Sequence, residues 1–233
     1  MTFCLNSIII KPEEGTEIKN AIILLHGYGG DGKDISMLTL NWKRHLPNTI
    51  FICPNGHEKC AINPSGYQWF DLTKEDPSYI LEESIKAENI IKKFIEEVKA
   101  EYNLSNQQIC LSGFSQGCMM SLNVGLTSNE KFLCVVGFSG KLIDEINLKN
   151  RIKNSTDTLL IHGDVDQRTP PRAARTYMKA LKKYNKDHKV LWLEGADHFS
   201  NTLFYHHKSA LYNTMTDYLA NDCFENSNEL VQR

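Results

Sequence analysis

Charge of one sign, paired cysteines and long apolar runs are all missing from this chain, and each absence closes a class of function. The formal charge is only -2 over 233 residues, so there is no basic field to hold a polyanion, and a nucleic-acid partner is not expected. No stretch approaches the roughly 18 apolar residues of a spanning helix. The amino-terminal "MTFCLNSIIIKPEEG" has no basic flank before its apolar residues and lacks the long apolar core of a signal peptide. The seven cysteines, at 4, 53, 60, 110, 118, 134 and 223, form no C-x-x-C pair. Several lie inside apolar runs, where a free thiol behaves as a small hydrophobe. The expectation is a cytoplasmic, unprocessed protein without stable membrane insertion. No internal repeat or low-complexity block interrupts the chain, and one domain over 1–233 is expected, with a polar tail after about residue 220 that frays.

What is present is an alternation of two periodicities. Short β-branched, apolar runs bounded by turn residues recur at Ile8–Ile10, Ala21–Leu25, Thr49–Cys53, Gln108–Leu111, Phe132–Val136, Thr158–Ile161 and Lys189–Leu193. They read as buried parallel strands. Helical patterns fall between them. The clearest spans Pro77–Tyr102, where Ala87, Ile91, Phe94, Val98 and Tyr102 step by three or four residues behind an Asp76 cap and a proline at the first position. Glu82 with Lys86 and Glu88 with Lys92 are expected as exposed i,i+4 pairs. Further helices are predicted over about 115–126, 171–184 and 202–219, the last with Phe204, Leu211, Met215 and Tyr218 on one side. This order predicts an α/β fold with a mostly parallel central sheet and helices on both faces.

Chemistry enters at "ICLSGFSQGCMMSL". It sets G-x-S-x-G between a predicted strand and a predicted helix, with Gly113 and Gly117 flanking Ser115. In so sharp a turn the glycines let neighbouring backbone pass close by, and the hydroxyl projects over a helix amino terminus that favours developing negative charge. A serine hydroxyl is a weak nucleophile and needs a base, itself oriented by a third group. Eight histidines compete for that role. His26 and His162 precede glycine at strand ends and read as loop architecture; His45, His57 and His188 lie in polar connections, and His206 and His207 fall in the predicted last helix. His198, in "LWLEGADHFSN", sits in the loop after the last predicted strand, from which it can reach Ser115.

The acid should follow another strand at the same edge, and "TLLIHGDVDQRTP" offers Asp164 and Asp166. Asp166 is preferred, because Asp164 lies in the tight turn after Gly163 and suits bonding of local N–H groups. Asp197, adjacent to His198, would point its side chain away. The order Ser, Asp, His is that of α/β-hydrolases. The two oxyanion donors are expected to be the backbone N–H of Gln116, just after the serine, and that of Tyr28 in the glycine-rich turn "LLHGYGGDGKD". A phosphate-binding loop is the competing reading there, disfavoured because no G-K-[ST] is present and Lys33 is followed by Asp34.

Together "LLHGYGGDGKD", "GYQWFDL", "SGFSQG", "GFSGKL", "HGDVDQRTP" and "GADHF" make the chain resemble the phospholipase/carboxylesterase family of α/β-hydrolases, which includes acyl-protein thioesterases and bacterial carboxylesterases. On that resemblance Ser115, Asp166 and His198 correspond to the family triad and Tyr28 and Gln116 to its oxyanion donors. Cys118, Thr169 and "GADHF" depart from the family's usual residues without removing a catalytic group.

The implied reaction is two-step acyl transfer on a small ester or thioester, a lipid or an acylated protein, with no metal or organic cofactor. The leading expectation is a serine carboxylesterase acting on short- to medium-chain acyl esters. An acyl-protein thioesterase or lysophospholipase is the alternative, and a non-catalytic binding module of the same fold is the reading from another class. The short polar stretch from about Lys141 to Asp157 leaves no room for a large cap. Tyr67, Trp69 and Phe70, in the loop 55–72, are expected to wall the acyl chain, with a hairpin packed on the core as the competing reading for Trp69. The resemblance is compatible with a homodimer.

Overall fold

The structure, a computed structural model, describes residues 3–148, 150–182, 188–199 and 218. Strands β1 (Ser7–Ile10), β2 (Asn20–Leu25), β3 (Thr49–Pro54), β6 (Ile109–Phe114), β7 (Cys134–Phe138), β8 (Thr158–Gly163) and β9 (His188–Leu193) form one sheet in the order β1-β3-β2-β6-β7-β8-β9. Five of the six pairings are parallel. β1 is the exception, running antiparallel to β3 with Ile8 opposite Cys53. The expectation of a buried parallel strand at Ile8–Ile10 is therefore corrected: β1 is an edge strand with no neighbour beyond it, and Ile8 and Ile9, on its opposite faces, stay 42% and 38% exposed. β4 (Glu58–Lys59) and β5 (Tyr67–Gln68) make a separate hairpin.

Helices cover both faces because the parallel strands must return over the sheet. α1 (Gly32–Ser36) and α2 (Thr39–Trp42) follow β2, α3 (Pro77–Tyr102) and α4 (Gln116–Thr127) flank β6, and α5 (Glu145–Leu148) and α6 (Pro171–Lys182) flank β8. In α3, Asp76 accepts the Ser78 N–H and Asn103 ends the helix in a left-handed conformation at φ 53°. The predicted stripe is realised in Ala87, Ile91, Phe94 and Val98, all fully buried, with Tyr102 half-buried. Every residue of α4 is buried, which its apolar sequence on all sides anticipates. Between β7 and β8 the described residues hold only α5, so no cap stands there.

One charged residue departs from its expected place. Glu88, predicted on the exposed side of α3, is only 4% exposed. Its carboxylate accepts from Lys92 Nζ (2.6 Å), Asn123 Nδ2 (2.5 Å) and Thr127 Oγ1 (2.5 Å), and also from Arg151 Nη2. Burial works to raise its pKa, but these donors hold it below the usual carboxylate value. The predicted helix over 202–219, the end of the one over 171–184 and the tail after 220 lie outside the described residues, apart from Tyr218, which packs in the core.

Strand order reverses at β2, which sends β3 to one side and β6 to the other. In an open α/β sheet the crevice at the carboxyl ends of the two central strands is the natural ligand site. The loop after β2 and the turn after β6 both lie there.

Candidate active site

Ser115 closes β6 and caps α4 with φ 52° and ψ −113°. A non-glycine residue there carries strain of about 1–3 kcal/mol and persists only where its surroundings dictate it. Here they do. The Ser115 N–H donates to the Phe138 carbonyl of β7 at 2.8 Å. A Cβ on Gly113 would lie 2.4 Å from the Gly117 carbonyl carbon, and one on Gly117 would lie 2.0 Å from the Leu25 carbonyl oxygen. The G-x-S-x-G spacing thus lets β6, α4 and β2 touch, and the tight turn lifts the serine side chain into the crevice.

His198 and Asp166 reach Ser115 from two other loops. His198 Nε2 is 3.0 Å from Ser115 Oγ, and its Nδ1 is 2.9 Å from Asp166 Oδ2. Asp166 is 2% exposed and His198 6%. The second carboxylate oxygen of Asp166 accepts the N–H groups of Arg168 (3.0 Å) and Thr169 (2.8 Å), which locks the plane of the acid against the imidazole. Asp164 faces the other way and accepts the Gly195 N–H at 2.7 Å. Its partner belongs to the histidine-bearing loop rather than to its own turn. Asp197 is exposed and accepts the Phe199 N–H at 3.0 Å. The arrangement has an alcohol, an imidazole and a carboxylate in series, so the imidazole can take the alcohol's proton while the carboxylate holds its tautomer and stabilises the resulting cation.

The other histidines at this edge do structural work. His26 accepts the Gly56 N–H at Nε2 (2.8 Å), which fixes the proton on Nδ1, donated to the Gly27 carbonyl (2.7 Å). Its pKa is lowered by burial. His162 Nε2 bonds the Thr169 carbonyl at 2.7 Å, and burial likewise lowers its pKa.

The two N–H groups expected to be oxyanion donors follow the carboxyl ends of β6 and β2. The first backbone bond of α4 runs from Met119 N–H to the Ser115 carbonyl, which leaves the Gln116 N–H without a helical partner. In the turn after β2, Gly29 donates to the Tyr67 carbonyl (2.9 Å) and Gly30 to that of Gly27 (3.1 Å), while the Tyr28 N–H enters neither bond.

Trp69 and Phe70 take a different part from the one expected. Trp69 and Phe70 are fully buried and line no open surface, which favours the hairpin packed on the core. The Trp69 N–H donates to Gln116 Oε1 (3.0 Å), the Gln116 amide donates to the Phe70 carbonyl (2.6 Å), and the Trp69 indole donates to the His26 carbonyl (3.0 Å). Tyr67 is half-buried, with Lys59 Nζ 3.9 Å above its ring. The reason is polar satisfaction: a buried Gln116 side chain needs both an acceptor and a donor, and the backbone of residues 69 and 70 supplies them. The "QWF" segment thus anchors the Gln116 side chain and the start of the loop after β2.

An open apolar surface lies beside the turn after β2. A cavity of about 700 Å³ is lined by Tyr28, Ile35, Leu38, Leu40, Phe114 and Phe199, among others. Phe114 and Phe199 pack against the His198 ring at 5.1 and 5.3 Å between centroids. The sequence reading missed this wall, since α1 and α2 carry no motif. Cys118, the departure after the serine turn, fits because Gly137 and Gly140 leave space: a Cβ on either would come within 2.3 Å of its sulfur. No group of three metal-ligating side chains occurs among the described residues, nor any helix long and apolar enough to cross a membrane.

Residues 6–207 match the family described as phospholipase/carboxylesterase. The chain belongs to that family. It is a serine hydrolase of the phospholipase/carboxylesterase type, with the α/β-hydrolase fold. Acyl-protein thioesterase 1 homolog 1 of Dictyostelium discoideum is 28% identical over 212 residues, covering 86% of this chain and 91% of that protein. Acyl-protein thioesterase 1 of Schizosaccharomyces pombe is 31% identical over 150 residues, 61% of this chain and 64% of that protein. Among solved structures, esterase PE8 superposes with a TM-score of 0.83 at 30% identity, covering 92% of this chain and 97% of that one.

Proposed function

We propose that this family member is a carboxylesterase in which Ser115 is the nucleophile, His198 the general base and acid, and Asp166 the group that orients the imidazole. The observation that carries the reading is His198 bridging Ser115 Oγ at 3.0 Å and Asp166 Oδ2 at 2.9 Å. Ser115 attacks the ester carbonyl as His198 takes its proton, and the oxyanion forms against the N–H groups of Tyr28 and Gln116. His198 then gives the proton to the leaving alcohol or thiol. Water, deprotonated in turn by His198, attacks the acyl-enzyme, and as the acyl–oxygen bond breaks His198 returns that proton to Ser115 Oγ and the acid is released. Each oxyanion donor contributes about 3 to 4 kcal/mol to the transition state.

The acyl group is assigned to the apolar cavity beside Tyr28 and Phe114, which suits short- to medium-chain esters. The relatives named acyl-protein thioesterase 1 favour a second reading, hydrolysis of acyl thioesters on protein. That the described residues between β7 and β8 hold only α5 supports access by a bulky leaving group in either case. A panel of p-nitrophenyl esters and acyl thioesters of graded chain length tests both. The carboxylesterase reading expects kcat/KM to peak on esters of short to medium length, and a thioester preference at every length would replace it with the second.

A further inference from the structure

The tripeptide Gly-Phe-Ser occurs twice, at 113–115 and at 137–139. The two copies end adjacent parallel strands in register, Gly113 opposite Gly137 and Phe114 opposite Phe138. Both serines then turn into the left-handed region, each at φ 52°. Ser115 carries its hydroxyl into the crevice. Ser139 is fully buried instead.

What Ser139 touches ties it to the site. Its N–H donates to the Ile161 carbonyl of β8 at 3.0 Å, and its hydroxyl donates to the His198 carbonyl at 3.2 Å. One residue earlier, the Phe138 carbonyl accepts the Ser115 N–H at 2.8 Å. Two consecutive residues at the end of β7 therefore hold the backbones of both Ser115 and His198, whose side chains meet at 3.0 Å. The left-handed turn at 139 is what lets one peptide reach the serine turn while the next side chain reaches the histidine loop. The same loop is also held by the Gly195 N–H on Asp164 (2.7 Å), by the Val165 N–H on the Ala196 carbonyl (3.3 Å) and by the His198 ring on Asp166, but the Ser139 hydroxyl bonds the backbone of His198 itself.

We infer that Ser139 is a positioning residue, whose hydroxyl sets the depth of the His198 loop so that the imidazole meets Ser115. The inference rests on the roles proposed above for Ser115 and His198. A base displaced by about 1 Å costs on the order of a hundredfold in rate, so loss of a single tether from its backbone should be visible.

The test compares Ser139→Ala and Ser139→Gly with the native protein. Hydrolysis of p-nitrophenyl butyrate and the rate of labelling by a fluorophosphonate are measured well below each melting temperature. Both variants lack the hydroxyl, but glycine also relieves the left-handed backbone, so it folds even if alanine does not. The positioning role predicts that kcat and the labelling rate fall together by about tenfold or more in both, with KM within about twofold. A purely structural serine would lower the melting temperature and leave the labelling rate of the folded protein unchanged, which overturns the inference. So does a glycine variant at native kcat. If the native protein itself is not labelled, the proposed roles of Ser115 and His198 fall, and the role of Ser139 falls with them.

Discussion

Asp164 accepts the Gly195 N–H at 2.7 Å, while Asp166, two residues on, turns its carboxylate inward to His198 Nδ1 at 2.9 Å. Neighbouring acids thus hold the same loop in different ways, one by its backbone and one by its reactive ring. Asp166→Asn should lower kcat about 10⁴-fold, because the amide no longer selects the correct tautomer. Asp164→Asn should cost less than about tenfold, since an amide oxygen still accepts the Gly195 N–H. Steady-state kinetics on one ester decides it, and equal losses would show that the acid was wrongly assigned.

Gln116 offers a second contrast, between its backbone and its side chain. Gln116→Met keeps the N–H at the head of α4 but strands the Trp69 N–H and the Phe70 carbonyl, at about 1–3 kcal/mol for each buried group. The urea midpoint should fall accordingly. An unchanged midpoint would mean that the amide does not hold the segment.

The cavity wall makes a prediction about chain length. Leu40 is 61% exposed at its rim, so Leu40→Lys should fold normally. It should lower kcat/KM for an octanoyl ester at least about tenfold more than for an acetyl ester, since the long chain alone needs an apolar wall. Parallel losses on both esters would place the acyl chain elsewhere.

Stability should fall on acidification in two stages. His26, His57 and His162 have pKa values lowered mainly by burial from an ordinary 6.5. They are neutral in the fold, so the unfolded chain binds more protons below pH 6.5 and stability drops as pH falls from there toward their folded values. Glu88 is held below its ordinary 4.5 by Lys92, Thr127 and Arg151 against the opposing effect of burial, so its contribution is present above pH 4.5 and is lost as pH falls through the folded value. Denaturant midpoints across pH 7 to 3 test both stages, and Glu88→Gln should flatten the lower one. A native stability curve that is flat below pH 4.5 would contradict the second.

The parts of this architecture that obey a period or a motif were legible in the residues. The stripe on α3 and the apolar runs of the central strands placed the elements, because burial on one or both faces leaves a pattern along the chain. The position of "DVDQRTP" and "GADHF" after strands sufficed to bring Asp166 and His198 to the edge that carries Ser115. What failed depended on contacts between distant segments. Glu88 looked like one end of an exposed pair, and only the approach of Thr127, Asn123 and Arg151 buries it. Phe70 looked like part of a substrate wall, and Trp69 fitted either that wall or the core, because aromatic composition says nothing about which side of a loop faces the core. Ile8 and Ile9 read as interior strand residues, since an edge strand and a central one share the same β-branched composition. The recurrence of Gly-Phe-Ser at 137–139 was visible, but its meaning needed the register of β6 against β7.

The central claim is that Ser115 is activated by His198. Exposure to a fluorophosphonate probe followed by intact-mass measurement addresses it directly. The account predicts one adduct per native chain, carried on Ser115, no adduct on Ser115→Ala, and labelling of His198→Ala slowed by at least about a thousandfold. A native chain that stays unlabelled, or a His198→Ala variant labelled at the native rate, would contradict it.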